Sequence, residues 1–227
     1  MSNPSPQPVR LNKFLAERLG LSRREADDLI AAGKVLVNKK PAILGARIDK
    51  NDEVCYNKKI VPFETDFFYL AMNKPVGYVC SRRAQGGTPT LYELLPKEYH
   101  KLKTVGRLDK DSSGLIILTN DGDFAYQMTH PKFHKEKTYE VTLNHLLEPL
   151  HQQMISDYGV MLDDGPSKFT IIKNQKSYTV ILSEGRNRQI RRTFAALGYR
   201  VTSLHRTQFG KYQLSGLEPG KYVIMKP

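Results

Sequence analysis

The chain has no tryptophan, only 2 cysteines in 227 residues, and no apolar run near the roughly 20 residues that a bilayer-spanning helix needs. Cys55 and Cys80 are too few for a disulfide framework and fit a reducing compartment, with one bridge still possible from sequence. Residues 1–8 lack the charged and apolar blocks of a signal peptide. These absences predict a soluble, cytoplasmic protein. Acidic residues are also in deficit, 23 Asp and Glu against 35 Lys and Arg, for a net charge of +12. That surplus favours polyanions, with nucleic acid as the leading partner and an anionic membrane surface as its competitor. Neither a Gly-x-x-x-x-Gly-Lys-Ser/Thr loop nor a Gly-x-Gly-x-x-Gly turn is present, so nothing supports a nucleotide or dinucleotide cofactor.

What is present divides into two parts. Residues 1–8, rich in Pro and Ser, read as a disordered lead-in. Leu11, Phe14, Leu15 and Leu19 recur at helical spacing, and Gly20 closes that helix. Ser22-Arg23-Arg24-Glu25 is a capping-box signature opening a second helix with Ala26, Leu29 and Ile30 as its apolar stripe. Val35-Leu36-Val37 follows as a strand, with further strand material over residues 48–56. The result is a small αα-β unit over residues 9–60, followed by a linker over 61–66 and a second domain over 67–227. The second part mixes strands near residues 67–72, 139–143 and 178–182 with helices over 149–158 and 187–197. Little βαβ repetition is evident, which predicts an α+β fold with a mixed, largely antiparallel sheet flanked by helices. Both parts are basic, +5 over residues 1–60 and +7 over the rest.

The segment from Val105 to Gly122 concentrates the chemistry. Asp111-Ser112-Ser113-Gly114 favours a tight reversal before the apolar run from Leu115 to Leu118, so Asp109 sits on a turn braced by a buried strand. Asp109, Asp111, Ser113 and Gly114 begin like a calcium loop, but its twelfth position is Asn120 rather than a bidentate Glu, and a strand follows where a helix is required. His130 and His134 straddle Pro131 without a Cys pair to complete a zinc site. No metal is expected. In a helix over residues 187–197, Arg188, Arg191 and Arg192 share one face while Ile190, Phe194 and Leu197 share the other. A solvated surface is one reading of those arginines. The other is a cationic wall that binds phosphates and keeps a nearby carboxylate ionised.

Arg10-Leu11-Asn12-Lys13-Phe14-Leu15, Ser22-Arg23-Arg24-Glu25-Ala26 and Gly33-Lys34-Val35-Leu36-Val37-Asn38 resemble the alpha-L RNA-binding motif of ribosomal protein S-four type. Arg10, Lys13, Arg23, Arg24 and Lys34 are then its RNA-contacting cations. Gly106-Arg107-Leu108-Asp109-Lys110-Asp111-Ser112-Ser113-Gly114-Leu115, Lys137-Thr138-Tyr139 and Glu184-Gly185-Arg186-Asn187-Arg188-Gln189-Ile190-Arg191-Arg192 resemble the three motifs of the RsuA/RluB/RluE/RluF family of ribosomal RNA pseudouridine synthases. Met72-Asn73-Lys74-Pro75-Val76-Gly77 is similar to that family's opening strand and loop. The resemblance implies a cofactor-free isomerisation of uridine in ribosomal RNA, with the target base flipped out of its helix. It implies Asp109 as the nucleophile, Tyr139 as the active-site tyrosine that stacks on uracil or takes or relays a proton, and Arg191 as the basic residue pairing with the aspartate. Arg107 lies beside the flipped nucleotide, and Asp111, Lys137 and Gln189 support the site. Arg107, Lys137, Arg188 and Arg192 complete the expected RNA contacts. The expected partner is ribosomal RNA or an assembly intermediate, not membrane, and the protein is expected to act as a monomer.

Residues 106–112 and 187–192 lean toward the large-subunit branch of the family, whereas residues 78–81 and 134–141 lean toward the small-subunit branch. The large subunit is slightly favoured as the target. A second class of function remains: a non-catalytic RNA-binding assembly factor using the same basic surfaces.

Overall fold

A computed structural model describes residues 8–64, 66–82, 84 and 86–227. Most of the lead-in expected over residues 1–8 lies outside the described residues, as only Pro8 is among them. The chain forms two compact units, residues 1–68 with 120–122, and residues 69–119 with 123–227. Both cysteines are free thiols. Among the described residues no helix is long and apolar enough to cross a membrane.

In the first unit, strand β1 (Val9–Arg10) leads directly into helix α1 (Leu11–Arg18), and helix α2 (Arg23–Ala31) follows. The capping box forms as the sequence predicts: Glu25 N–H donates to Ser22 Oγ at 3.1 Å, and Ser22 N–H donates to the Glu25 carboxylate at 2.7 Å. Four short strands make an antiparallel sheet in the order β3 (Lys40–Pro41), β2 (Val35–Val37), β5 (Val54–Tyr56), β6 (Lys59–Ile60), while β4 (Arg47–Ile48) pairs with β1. Leu11, Phe14, Leu15, Ala26, Ile30, Val35, Ile48 and Val54 form its core.

The expected linker is partly built into this unit. Val61 is buried in the core, Phe63 packs on Phe14 with ring centroids 4.5 Å apart, and the Arg18 guanidinium donates to the carbonyls of Pro62 and Phe63. A unit this small gains from every apolar side chain it recruits, so these residues fold back onto it instead of spanning a gap.

The second unit is built on one mixed sheet. Its main path runs β13 (Thr170–Lys173), β14 (Tyr178–Leu182), β10 (Lys137–Leu143), β15 (Val201–Phe209), β9 (Ser113–Thr119), β7 (Tyr69–Lys74), β17 (Tyr222–Ile224). Strand β8 (Lys103–Val105) pairs with β9, and β16 (Tyr212–Gln213) with β15. Among the described residues only the β9–β15 pairing within this sheet is parallel, so the largely antiparallel α+β expectation describes the fold. A hairpin of β11 (Val160–Leu162) and β12 (Gly165–Ser167) stands apart.

The unbroken apolar run of β9 reflects burial on both faces, with no polar face left to show alternation. Ile116 and Leu118 join one core with Val141, Val180 and Phe194, the last from helix α5 (Gln189–Ala196). Leu115 and Ile117 join another with Val105, Phe209 and Met128, the last from helix α3 (Gly122–Thr129). The helix expected over 149–158 is α4 (Pro149–Gln153), continued by a π turn over Met154–Tyr158.

Gly114 makes the parallel pairing possible. It stands opposite Arg206 with φ +107°, and a Cβ there would run into the Arg206 carbonyl and amide. Gly114→Ala is therefore expected to destabilise the second unit by about 3 kcal/mol or more, read as a lowered urea midpoint for that unit's transition.

Candidate active site

Strands β8 and β9 are joined by a loop over residues 106–112, and a buried ammonium organises it. Lys74, at the end of β7, is fully buried and donates to the carbonyls of Ser112 at 2.6 Å, Pro75 at 3.0 Å and Asp109 at 3.1 Å. The loop closes on itself through Ser112 N–H to the Asp109 carbonyl at 3.1 Å, and Gly77 N–H donates to the Lys110 carbonyl at 2.7 Å. Burial lowers the Lys74 pKa, and the nearby Cys80, Asp109 and Asp111 partly offset that.

Asp109 is left half-exposed at the loop's edge. The ion pair given to its carboxylate is with Arg188, Nη1 lying 3.7 Å from Oδ2. Arg188 binds Asp111 more closely, in a fork with Nη1 to Oδ1 at 2.9 Å and Nη2 to Oδ2 at 2.8 Å. That fork, with Arg191 nearby, holds the Asp111 carboxyl below the usual carboxylate range against a smaller opposing effect of burial.

Arg191 departs from its expected place. Its Nη2 donates to the Asp111 carbonyl at 2.8 Å, its Nη1 to the Val201 carbonyl at 3.0 Å, and its Nε lies 3.4 Å from Asp111 Oδ2. It ties α5 to the main chain of the loop, while Arg188 faces the Asp109 carboxylate. Nor do the three arginines share one helix face. Arg188 precedes α5 in a left-handed conformation, φ +46°, and Arg192 turns to Asp163 at 2.8 Å and Asp164 at 2.7 Å. Those two aspartates hold the β11–β12 turn and leave Arg192 neutralised.

Strand β10 brings the next two groups. Tyr139 is buried opposite Val180 on one side and Arg206 on the other. Lys137 donates weakly to the carbonyls of Ser183, Lys135 and Glu184 at 3.2, 3.3 and 3.4 Å, and its ammonium lies over the Phe209 ring. Burial, with the Arg206 charge beside it, lowers the Lys137 pKa to about 8. It stands inside the site and not on an open phosphate-binding surface. Gln189 is buried as well, with its amide donating to Glu184 Oε1 and Ser167 Oγ while its oxygen accepts from Arg186 N–H.

Asp109, Tyr139, Arg107, Lys137 and Arg188 line a single cavity of about 320 Å³, together with Leu108, Leu182, Ile190, Leu204 and Phe209. Arg191 and Arg192 are not among its lining residues. The cavity also reaches Arg206, which the sequence reading passed over. A cation two residues from Leu204, and so on the same face of a strand as that apolar side chain, is the pattern that could have flagged it. Nothing local in the sequence marks Lys74 as buried. In the first unit Arg10, Arg23, Arg24 and Lys34 are exposed, while Lys13 is half-buried and lies 3.9 Å from Glu17.

Comparison with known proteins bears on this site directly. The family described as RNA pseudouridylate synthase matches residues 68–196, and the S4 domain matches residues 9–54. The chain is 39% identical over 94% of its length to the ribosomal small subunit pseudouridine synthase A of Pasteurella multocida, of which it covers 94%. It is 34% identical over 96% of its length to the ribosomal large subunit pseudouridine synthase B of Bacillus subtilis, covering 92% of that protein. A crystal structure of a pseudouridylate synthase superimposes with a TM-score of 0.69 at 33% identity, covering 96% of each chain.

The Lys74 cluster yields a stability prediction. Lys74→Met leaves three carbonyls without their shared donor and is expected to cost about 3 kcal/mol, measured as the shift in chemical unfolding of the second unit.

Proposed function

Because this chain belongs to the RNA pseudouridylate synthase family and carries an S4 domain, we propose that it isomerises one uridine of ribosomal RNA to pseudouridine at the cavity that Asp109 and Tyr139 share. The observation that carries this reading is the joint placement of a half-exposed carboxylate, an aromatic side chain and apolar walls in one cavity. A base within a stacked helix cannot reach such a cavity, so the nucleotide is flipped out at a cost of a few kcal/mol, offset by stacking and pocket contacts.

Asp109 acts at the sugar, either adding to C1′ as N1 departs and being displaced when C5 joins C1′, or taking a proton from C2′ and returning it at that step. The N1–C1′ bond breaks with its electron pair left on the base, the base turns, and C5 joins C1′. The C5 proton is then lost as N1 takes one up, so atoms and charge balance without an oxidant or a cofactor. Arg188 stands beside the Asp109 carboxylate as its counter-charge, while Arg191 fixes the loop that carries it. Tyr139 stacks on the uracil. The exposed cations Arg10, Arg23, Arg24 and Lys34 supply salt-dependent phosphate affinity, and Arg107 serves the flipped nucleotide.

Between the two ribosomal RNAs, identities of 39%, 37%, 36% and 33% to small-subunit enzymes, against 35% and 34% to large-subunit ones, lean to the small-subunit RNA. The large-subunit RNA stays as the second reading, on the lean of residues 106–112 and 187–192. Primer extension across both RNAs after carbodiimide treatment, from cells with and without the protein, tests function and target together. One stop is expected to vanish from the small-subunit RNA when the protein is removed. A stop lost from the large-subunit RNA supports the second reading, and an unchanged pattern with RNA binding retained supports a non-catalytic assembly factor.

A further inference from the structure

Arg206 is a buried cation with no anion of its own. It is 2% exposed, its Nε donates to the Leu115 carbonyl at 2.8 Å, and its guanidinium lies 4.9 Å from the Phe209 ring centroid. Its Nη2 is buried without a hydrogen-bond partner, and among the described residues no carboxylate forms an ion pair with it. Of the two acids on the cavity wall, Asp109 pairs with Arg188, and Glu184 accepts from Gln189 and lies 3.5 Å from Arg186. A second cation, the half-buried Lys137, stands close by on the adjacent strand. Buried charge of one sign is costly unless something neutralises it, and both groups reach the same cavity wall.

The ligand itself supplies the missing anion. The exposed Arg107 can serve phosphates from the cavity lining, whereas Arg206 sits among apolar walls where a base belongs. Under the pseudouridine reading, on which this step rests, the base becomes negative during the reaction. Breaking N1–C1′ leaves the electron pair on uracil, spread over N1, O2 and O4, until C5–C1′ forms. We propose that Arg206 is the counter-charge for this uracil anion, with Nη2 as the donor that a carbonyl oxygen of the detached base engages. Fixed before the reaction and shielded from water, the guanidinium acts where charge develops and requires no reorganisation. Gly114 makes this placement possible, because its missing side chain lets β9 approach the Arg206 main chain.

The test compares two free bases and one variant. 5-Nitrouracil is an anion at neutral pH and uracil is neutral, and the affinity of the full-length wild-type protein for each is measured by calorimetry. The wild type is expected to bind the anion at least about tenfold more tightly. Arg206→Gln is expected to lose that preference and to release tritium from 5-tritiated uridine in ribosomal RNA about 100-fold more slowly, with KM for RNA little changed. Equal binding of the two bases by the wild type, or binding of neither, overturns the proposal even if the variant does not fold. A folded variant with wild-type turnover overturns it as well. A wild type that prefers the anion yet releases no tritium from either ribosomal RNA contradicts the proposed function and leaves the anion site standing.

Discussion

One buried ammonium sets the geometry on which the candidate site depends. Lys74 draws the carbonyls of Pro75, Asp109 and Ser112 around a single point at the end of β7. Its desolvation is partly offset by those carbonyls and by the acids close to it. With the main chain pinned there, the Asp109 side chain can project from the loop without having to anchor it. Asp111 takes the anchoring role instead, through the Arg188 fork and its contacts with Arg191. Two adjacent acids thus divide the work, one holding α5 against the loop and the other left accessible to a ligand.

The cations of this basic protein fall into classes that net charge alone does not separate. Arg186 and Arg192 are spent on Asp163, Asp164 and Glu184, and stabilise the β11–β12 turn. Lys74, Lys137 and Arg206 are buried or largely buried, and act on backbone carbonyls or on the cavity. The exposed arginines and Lys34 of the first unit remain as candidates for long-range phosphate attraction. Salt dependence of RNA binding should therefore report on the last class far more than on the others.

Local signals were readable where local physics decides the outcome. The Ser22–Glu25 capping box, the helices flanking it and the turn ahead of β9 all follow from neighbouring residues. Tyr139 and Asp109 line the same cavity. Tertiary packing decided the rest. Val61 and Phe63 look like linker until the core of a small unit claims them. Arg188 looks helical until its left-handed backbone turns it away from the face that Arg191 and Arg192 were to share with it. The target of Arg191 could not be read at all, because Asp109 and Asp111 are two residues apart and only the folded loop decides which one it meets. Arg206 was missed for a related reason, since its burial arises from the parallel pairing with Gly114 across a long sequence separation.

We propose that the Asp109 carboxylate, held at the edge of a loop pinned by Lys74, drives uridine isomerisation. Tritium release from 5-tritiated uridine in ribosomal RNA, compared between wild type and Asp109→Asn, tests it most directly, because the substitution removes the charge and keeps the shape. A fall of about a thousandfold or more with RNA affinity unchanged is the predicted result. Release by Asp109→Asn at close to the wild-type rate would contradict it.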